Sequence, residues 1–211
     1  MNIDPFRVDE AQRRRIASAC GGTAGFEELA SQPDLERVDG TRTTVLVTED
    51  LPRDLSRWPA LRFVQLISAG INHLDGHPIW KTDIEVATAA GTHAVPIGQH
   101  ASCVLLMLVH HMPETTAFKS TRTWPNRVAM ASTMLRGKTA GMLGYGGIGR
   151  ECARQLHALG MRIVCLKSNP TQRRHDGFTA FDGVGDPDGV LPERWFGPNA
   201  LKEMLPICDA L

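Results

Sequence analysis

The sequence has no net charge: lysine plus arginine number 23, and aspartate plus glutamate number 23. A balanced chain projects no field that would gather nucleic acid or an anionic membrane surface. The basic runs Arg13-Arg14-Arg15 and Arg173-Arg174 are short enough to be solvated faces. No C-x-x-C pair occurs among the five cysteines at positions 20, 103, 152, 165 and 208. The odd count and unpaired spacing argue against a disulfide framework or a zinc site. They favour reduced, buried thiols, with Cys103 and Cys165 inside apolar stretches, in a reducing compartment. No metal site is expected. The start, Met1-Asn2-Ile3-Asp4-Pro5, lacks the basic-then-apolar pattern of a secretory signal. The longest apolar run, around Ala101–Val109, is too short to cross a bilayer. Internal repeats and low-complexity tracts are missing as well. The expectation is a cytoplasmic globular protein without nucleic-acid or membrane partners.

Three short runs among the first ninety or so positions read as buried strands: 44–47 (TVLV), 61–67 (LRFVQLI) and 84–87 (IEVA). Each is apolar or β-branched and bounded by turn residues. The segments between them are long enough for helices, as in Val8–Ala19. Strands alternating with helices imply parallel pairing in a layered α/β unit. Beyond Gly91, apolar residues at Ala101, Val104, Leu105, Leu108 and Met112 recur with helical spacing, which predicts one helix of about five turns over Gly98–Phe118. Pro113 is expected to kink or close it. An irregular stretch containing Trp124-Pro125 follows. The spacing then predicts a strand at Ala140–Gly144, a helix at Ile148–Leu159 and a strand at Met161–Leu166. Residues 168–192, rich in Gly, Asp and Pro, read as a long surface loop, functional or poorly ordered. A short helix at Asn199–Leu205 precedes Cys208–Leu211, which reads as the start of another strand.

The strongest chemical signal is Gly144-Tyr145-Gly146-Gly147-Ile148-Gly149. It lies after one predicted strand and opens a predicted helix, the context in which G-x-G-x-x-G signals dinucleotide binding. Gly144 permits the tight turn, Gly146 lets a pyrophosphate approach the backbone, and Gly149 lets the helix pack on the strand. The free N–H groups and positive dipole end of the helix then face the phosphates. A glycine-rich turn that binds nothing is the competing reading. The position that in NAD-binding proteins holds an acidic residue for the ribose diol is here Lys167, followed by Ser168 and Asn169. Lysine cannot accept from a 2′-hydroxyl but can pair with a 2′-phosphate, with Arg173 or Arg174 near in sequence. NADP is therefore favoured over NAD, against the alternative that Lys167 points into solvent.

Several segments together resemble the D-isomer-specific 2-hydroxyacid dehydrogenases, in the family's order. Residues 66–74 (LISAGINHL) resemble its substrate-carboxylate loop, and 90–100 (AGTHAVPIGQH) its hinge and the start of its interdomain helix. Trp124 matches a tryptophan after that helix, and 135–139 (LRGKT) leads into the glycine turn as it does there. The closest likeness is to NADP-using, reductase-like members.

The resemblance implies two Rossmann-like, doubly wound parallel-sheet domains: a substrate-side, flavodoxin-like domain over 1–97 and a cofactor domain over 98–211, the second incomplete. It implies an NAD(P)-dependent 2-hydroxyacid dehydrogenase or 2-keto acid reductase acting on a small carboxylate, assembled as a homodimer. Ser68, Ala69 and Gly70 would bind the substrate carboxylate through backbone N–H groups, an arrangement suited to an anion. Gly144–Gly149, Lys167, Ser168 and Asn169 would bind the cofactor. Where the family has Ala-Glu at the helix start this chain has Gly98-Gln99. No position matches the family's catalytic arginine, its histidine acid or that histidine's carboxylate partner, so the 211-residue chain is expected to be impaired or inactive. His73 and His100 are the candidate substitutes for the acid. The alternatives are a non-catalytic nucleotide-binding or partner subunit, or a repurposed non-redox enzyme for a carboxylate or polyketide-like substrate.

Overall fold

The computed structural model describes residues 9–19, 21, 22, 35, 39–124, 126, 128 and 130–211. Cys20, Pro125, Val8 and the Met1–Pro5 segment, all used above, lie outside the described residues. The chain divides into two compact units, one of residues 1–67 and 71–88, the other of 68–70 and 89–211.

In the first unit, β1 (Val45–Thr48), β2 (Phe63–Leu66) and β3 (Glu85–Ala87) form a parallel sheet in the order β1-β2-β3. Leu46, Val64 and Leu66 face a core completed by Leu51, Trp58, Leu61, Leu74 and Ile79. Three-residue and four-residue 3₁₀ turns make the connections, two of them capped by Asp39 and Asp54. Helix α1 (Glu10–Ala19) buries none of its side chains.

In the second unit, β4 (Thr139–Leu143), β5 (Arg162–Leu166) and β6 (Pro192–Phe196) are parallel and ordered β4-β5-β6. Ala210 bridges in parallel to Ala140. Ala140 already pairs with Ile163 of β5, so the bridge lies on the other flank of β4. Strand order therefore reverses at β4, the switch point at which α/β sheets bind ligands beyond their carboxyl ends. Both faces of β5 are covered: Ile163 and Cys165 pack with Met142, Ala153 and Leu156, and Val164 packs with Phe196 and Met204. Apolar cover on both faces is the signature of a parallel sheet between helix layers.

The helix expected over Gly98–Phe118 is two helices, α2 (Ala94–Val109) and α3 (Met112–Thr121). Pro113 falls in the first turn of α3, and His111 before it adopts a left-handed conformation at φ 53°. Proline has no N–H to give the carbonyl four residues back, and its ring clashes there, so the helix ends at Val109 and restarts. Helix α2 buries Ala94, Gly98 and Ser102. A Cβ on Gly98 would stand 2.9 Å from Gln155 Nε2 and from Glu151 Cγ, so the bare glycine lets α2 lie close against α4 (Gly147–Ala158). That packing carries all of α2, including residues 94–97, into the second unit.

Strand β6 was not expected. The short helix near the end is α5 (Leu201–Met204), followed by a 3₁₀ turn over Leu205–Ile207. Of the four described cysteines, all free, Cys152 and Cys165 are buried and Cys208 is half-buried. Cys103, expected to be buried, is exposed, because α2 turns only its small-residue stripe toward α4. Burial pushes the Cys165 thiol up to about 12, so it stays protonated and inert.

Candidate functional site

The glycine fingerprint occupies the crossing from β4 to α4, at the switch point. Gly144 turns the chain at φ +96°, in the left-handed region that favours glycine. Gly146 is extended at φ −87°, and no atom lies within 4 Å of where its Cβ would be. Gly147, Ile148 and Gly149 are first-turn residues whose N–H groups have no partner within the helix. At Gly149 a Cβ would stand 2.3 Å from the Gly144 carbonyl oxygen, so only glycine allows this approach of helix to turn. The three glycines thus supply the turn, the open space and the close packing that a pyrophosphate cradle requires. The residues present fit a dinucleotide.

Tyr145, expected at the cofactor, turns its side chain into the core and offers the cradle only main-chain atoms. It is 1% exposed, its hydroxyl donates to Asp186 Oδ2 at 2.7 Å, and its ring meets Trp195 edge-on at 5.1 Å. Burial and then the Asp186 carboxylate push the phenol well above its ordinary value, so it remains a donor.

The residue after the fingerprint, Arg150, is also 1% exposed. Its Nε donates to the Tyr145 carbonyl at 3.1 Å, Nη1 to the Asp186 carbonyl and Nη2 to the Arg173 carbonyl. Asp186 in turn accepts the backbone N–H groups of Val190 and Leu191, both at 3.0 Å. Glu151 is fully buried and accepts from Arg154 Nη2 at 2.6 Å and Nε at 2.8 Å, from Gln155 at 2.7 Å and from the Gly185 N–H at 2.7 Å. Burial alone would raise its pKa, but these donors outweigh burial and hold the carboxyl below its usual range. Two adjacent side chains of α4 therefore fasten the segment 168–191, a strap with no regular secondary structure, beside the glycine turn. At Gly91, φ +92°, a Cβ would stand 2.1 Å from the Phe178 carbonyl oxygen, so the strap also lies directly on the turn before α2.

Lys167 continues the ladder from the end of β5, its N–H donating to Phe196 O at 3.0 Å. Its Nζ donates to Gln172 O at 2.8 Å. Ser168 and Asn169 are exposed, and the Asn169 side chain accepts from Thr171 N–H and hydroxyl at 3.1 and 2.7 Å. Arg173 lies 5.8 Å from the Trp195 ring, and Arg174 pairs with Asp176 at 3.0 Å.

Ser68 is half-buried and donates from its hydroxyl to Gly70 O at 2.9 Å, while Ala69 and Gly70 are exposed. Among the described residues, no acceptor engages the Ala69 or Gly70 N–H. His73 is exposed, with Nε2 2.9 Å from Glu49 O, and His100 is exposed on α2. Sequence reasoning missed Arg150, Asp186 and His175. An arginine one place past a fingerprint reads as solvated, and a Gly/Asp-rich loop gives no sign of which aspartate is buried. Among the described residues, no group of three or more His, Cys, Asp or Glu could hold a metal, and no helix is long and apolar enough to cross a membrane.

The fold and turn together define a Rossmann-type dinucleotide-binding domain. The family model for the D-isomer specific 2-hydroxyacid dehydrogenase, NAD binding domain, matches residues 103–190. Residues 103–190 are thus similar to the NAD-binding domain of the D-isomer-specific 2-hydroxyacid dehydrogenases. D-3-phosphoglycerate dehydrogenase of Bacillus subtilis is 30% identical over 133 residues, 63% of this chain and 25% of that protein. A D-isomer specific 2-hydroxyacid dehydrogenase family protein from Aeromonas salmonicida superposes with a TM-score of 0.69 at 20% identity, over 96% of this chain and 61% of that one. An NADPH-dependent glyoxylate/hydroxypyruvate reductase from Sinorhizobium meliloti, solved with NADP and sulfate, superposes at 0.63 and 20% identity, over 93% of this chain and 57% of that one. The chain therefore spans less than two thirds of the length of each of these proteins, and its likeness to the solved structures is one of fold.

Proposed function

We propose that these 211 residues supply the cofactor-binding and carboxylate-binding parts of an NADP-dependent oxidoreductase acting on a small 2-hydroxy or 2-keto acid. The observation that carries this reading is the open space in front of Gly146 at the N-terminus of α4, at the point where strand order reverses. A nicotinamide cofactor bound there supplies hydride chemistry. Gly146, Gly147 and Ile148 hold its phosphates by main-chain N–H groups, and Ser68, Ala69 and Gly70 hold the substrate carboxylate the same way.

Lys167 supports NADP over NAD. It stands at the end of β5 as an ammonium where a ribose diol needs a carboxylate, with exposed Ser168 as a further donor. Fluorescence titration is expected to show NADPH binding at least tenfold more tightly than NADH, with Lys167→Asp erasing or reversing the preference. Equal affinities would remove the assignment. The resemblance assigns none of the 211 residues to the family's arginine, histidine acid or paired carboxylate. A general acid alone typically contributes about 10²–10⁴-fold. The 211-residue polypeptide is thus expected to bind NADPH while consuming it at background rate with glyoxylate, hydroxypyruvate or pyruvate. Turnover abolished by His73→Ala or His100→Ala would instead identify a replacement acid.

A further inference from the structure

His175 sits in the strap beside the glycine turn with no task in the reading above. Its backbone N–H donates to Pro187 O at 2.8 Å, which joins the two limbs of the strap. Its Nε2 lies 3.8 Å from where a Cβ on Gly147 would stand. The imidazole tip therefore borders the space that any side chain at 147 would fill, next to the first-turn N–H groups of α4. Among the described residues, neither ring nitrogen has a hydrogen-bond partner within the chain. The placement is built in from both sides. Arg150 holds the carbonyls of Arg173, two residues before His175, and of Asp186, next to the Pro187 that accepts its N–H. A Cβ on Gly177 would stand 2.6 Å from Nε2 and 2.7 Å from Cε1, so glycine at 177 is what lets the ring lie there.

We propose that His175 is a phosphate-contacting residue of the dinucleotide site, its imidazole delivered by the strap to the pyrophosphate at the N-terminus of α4. The proposal rests on the reading that this site binds a dinucleotide. The charged groups that act on the ring are Arg150 from α4, Lys167 from the end of β5 and Asp176 within the strap. Asp186 lines the same space, but its carboxylate accepts from the Tyr145 hydroxyl and the Val190 and Leu191 N–H groups. In the neighbouring turn before α2, His93 Nδ1 lies 3.2 Å from the Thr92 hydroxyl. Burial, then Arg150 and Lys167, hold the imidazole below its ordinary value, with Asp176 opposing. The free protein thus carries it neutral near pH 7. A pyrophosphate beside it favours the charged form, so binding takes up a proton and tightens as pH falls.

ADP-ribose is the probe, because it carries the pyrophosphate but no phosphate monoester that would itself titrate between about pH 6 and 8. Calorimetry in buffers of different ionisation heat is expected to show proton uptake, with affinity several-fold higher near pH 6 than near pH 8. His175→Gln should flatten that profile and weaken binding about tenfold near pH 6, as expected for loss of a charge-assisted hydrogen bond. Gly177→Ala, which keeps the imidazole but displaces it, should act in the same direction. Wild-type affinity and pH dependence in both variants would overturn the role of His175 while leaving the dinucleotide site intact, provided Gly146→Val abolishes binding. Failure of the wild-type protein to bind either ADP-ribose or NADPH would overturn the site and His175's role together.

Discussion

Three glycines of one turn have different reasons to be glycine, so their substitutions separate binding from folding. A side chain at Gly146 meets no atom within 4 Å, and its φ of −87° suits any residue. Gly146→Val should therefore fold with nearly unchanged thermal stability yet lose dinucleotide affinity by at least a hundredfold, because the valine occupies the pyrophosphate's space. Gly149→Ala is the reverse case. Its methyl would stand 2.3 Å from the Gly144 carbonyl oxygen, a backbone atom, so turn or helix must shift. Overpacking of that kind costs about 1–3 kcal/mol, which a thermal melt reads directly. Retained affinity in Gly146→Val would mean the turn is structural only. The fingerprint was legible in the sequence because each glycine answers a backbone demand that no other residue meets. The side chains around it were not. Tyr145 looked like a cofactor contact and is a core residue, because the strap brings Asp186 to its hydroxyl at 2.7 Å across a chain separation that no local pattern encodes.

The strap is the element on which the site turns, and Arg150 makes more of its fastenings than Glu151 does. Arg150 satisfies three main-chain carbonyls, those of Tyr145, Arg173 and Asp186. Arg150→Met keeps most of the volume but leaves these buried acceptors unpaired and Asp186 without its neighbouring cation. Removing one member of such a buried charged network costs about 3 kcal/mol or more. The strap should loosen before the sheet melts. Trypsin is expected to cut after the exposed Arg173 and Arg174 at least tenfold faster in Arg150→Met than in the wild type; equal rates would show that the strap is held elsewhere. Periodicity and turn residues located β1 to β5, α4 and the irregular strap. They failed at β6 for a physical reason. Pro192-Glu193-Arg194-Trp195-Phe196 buries only its end residues, and a register shift opposite Ile163/Val164 spoils any alternation. The break between α2 and α3 comes at His110-His111, ahead of Pro113, because proline's clash is with the preceding turn and not with its own position.

At the scale of the whole molecule, α2 and the segment after it present more apolar surface than a solitary chain holds comfortably. The stripe Ala94, Gly98, Ser102 is spent on α4, and Leu105, Leu106 and Val109 lean on the sheet core. That leaves Val104, Met107 and Leu108 at 40%, 42% and 61% exposure, followed by Met112 at 44%, Trp124 and Val128 at 85% each, and Met134 at 76%. Large side chains clustered along one stretch mark an interaction surface, whereas scattered ones do not. With a formal net charge of +0, long-range repulsion does little to keep copies apart. A second copy meeting this stretch through a two-fold axis would cover the same residues on both partners, the usual solution for such a surface. Sedimentation at micromolar concentration is expected to find a dimer. Leu108→Glu, which places a carboxylate among these exposed apolar side chains, should shift it to monomer by tenfold or more in dissociation constant. Because the glycine turn and strap lie elsewhere in the second unit, that variant should keep its affinity for NADPH. A wild-type chain that sediments as a monomer would show that these residues meet a different partner or none.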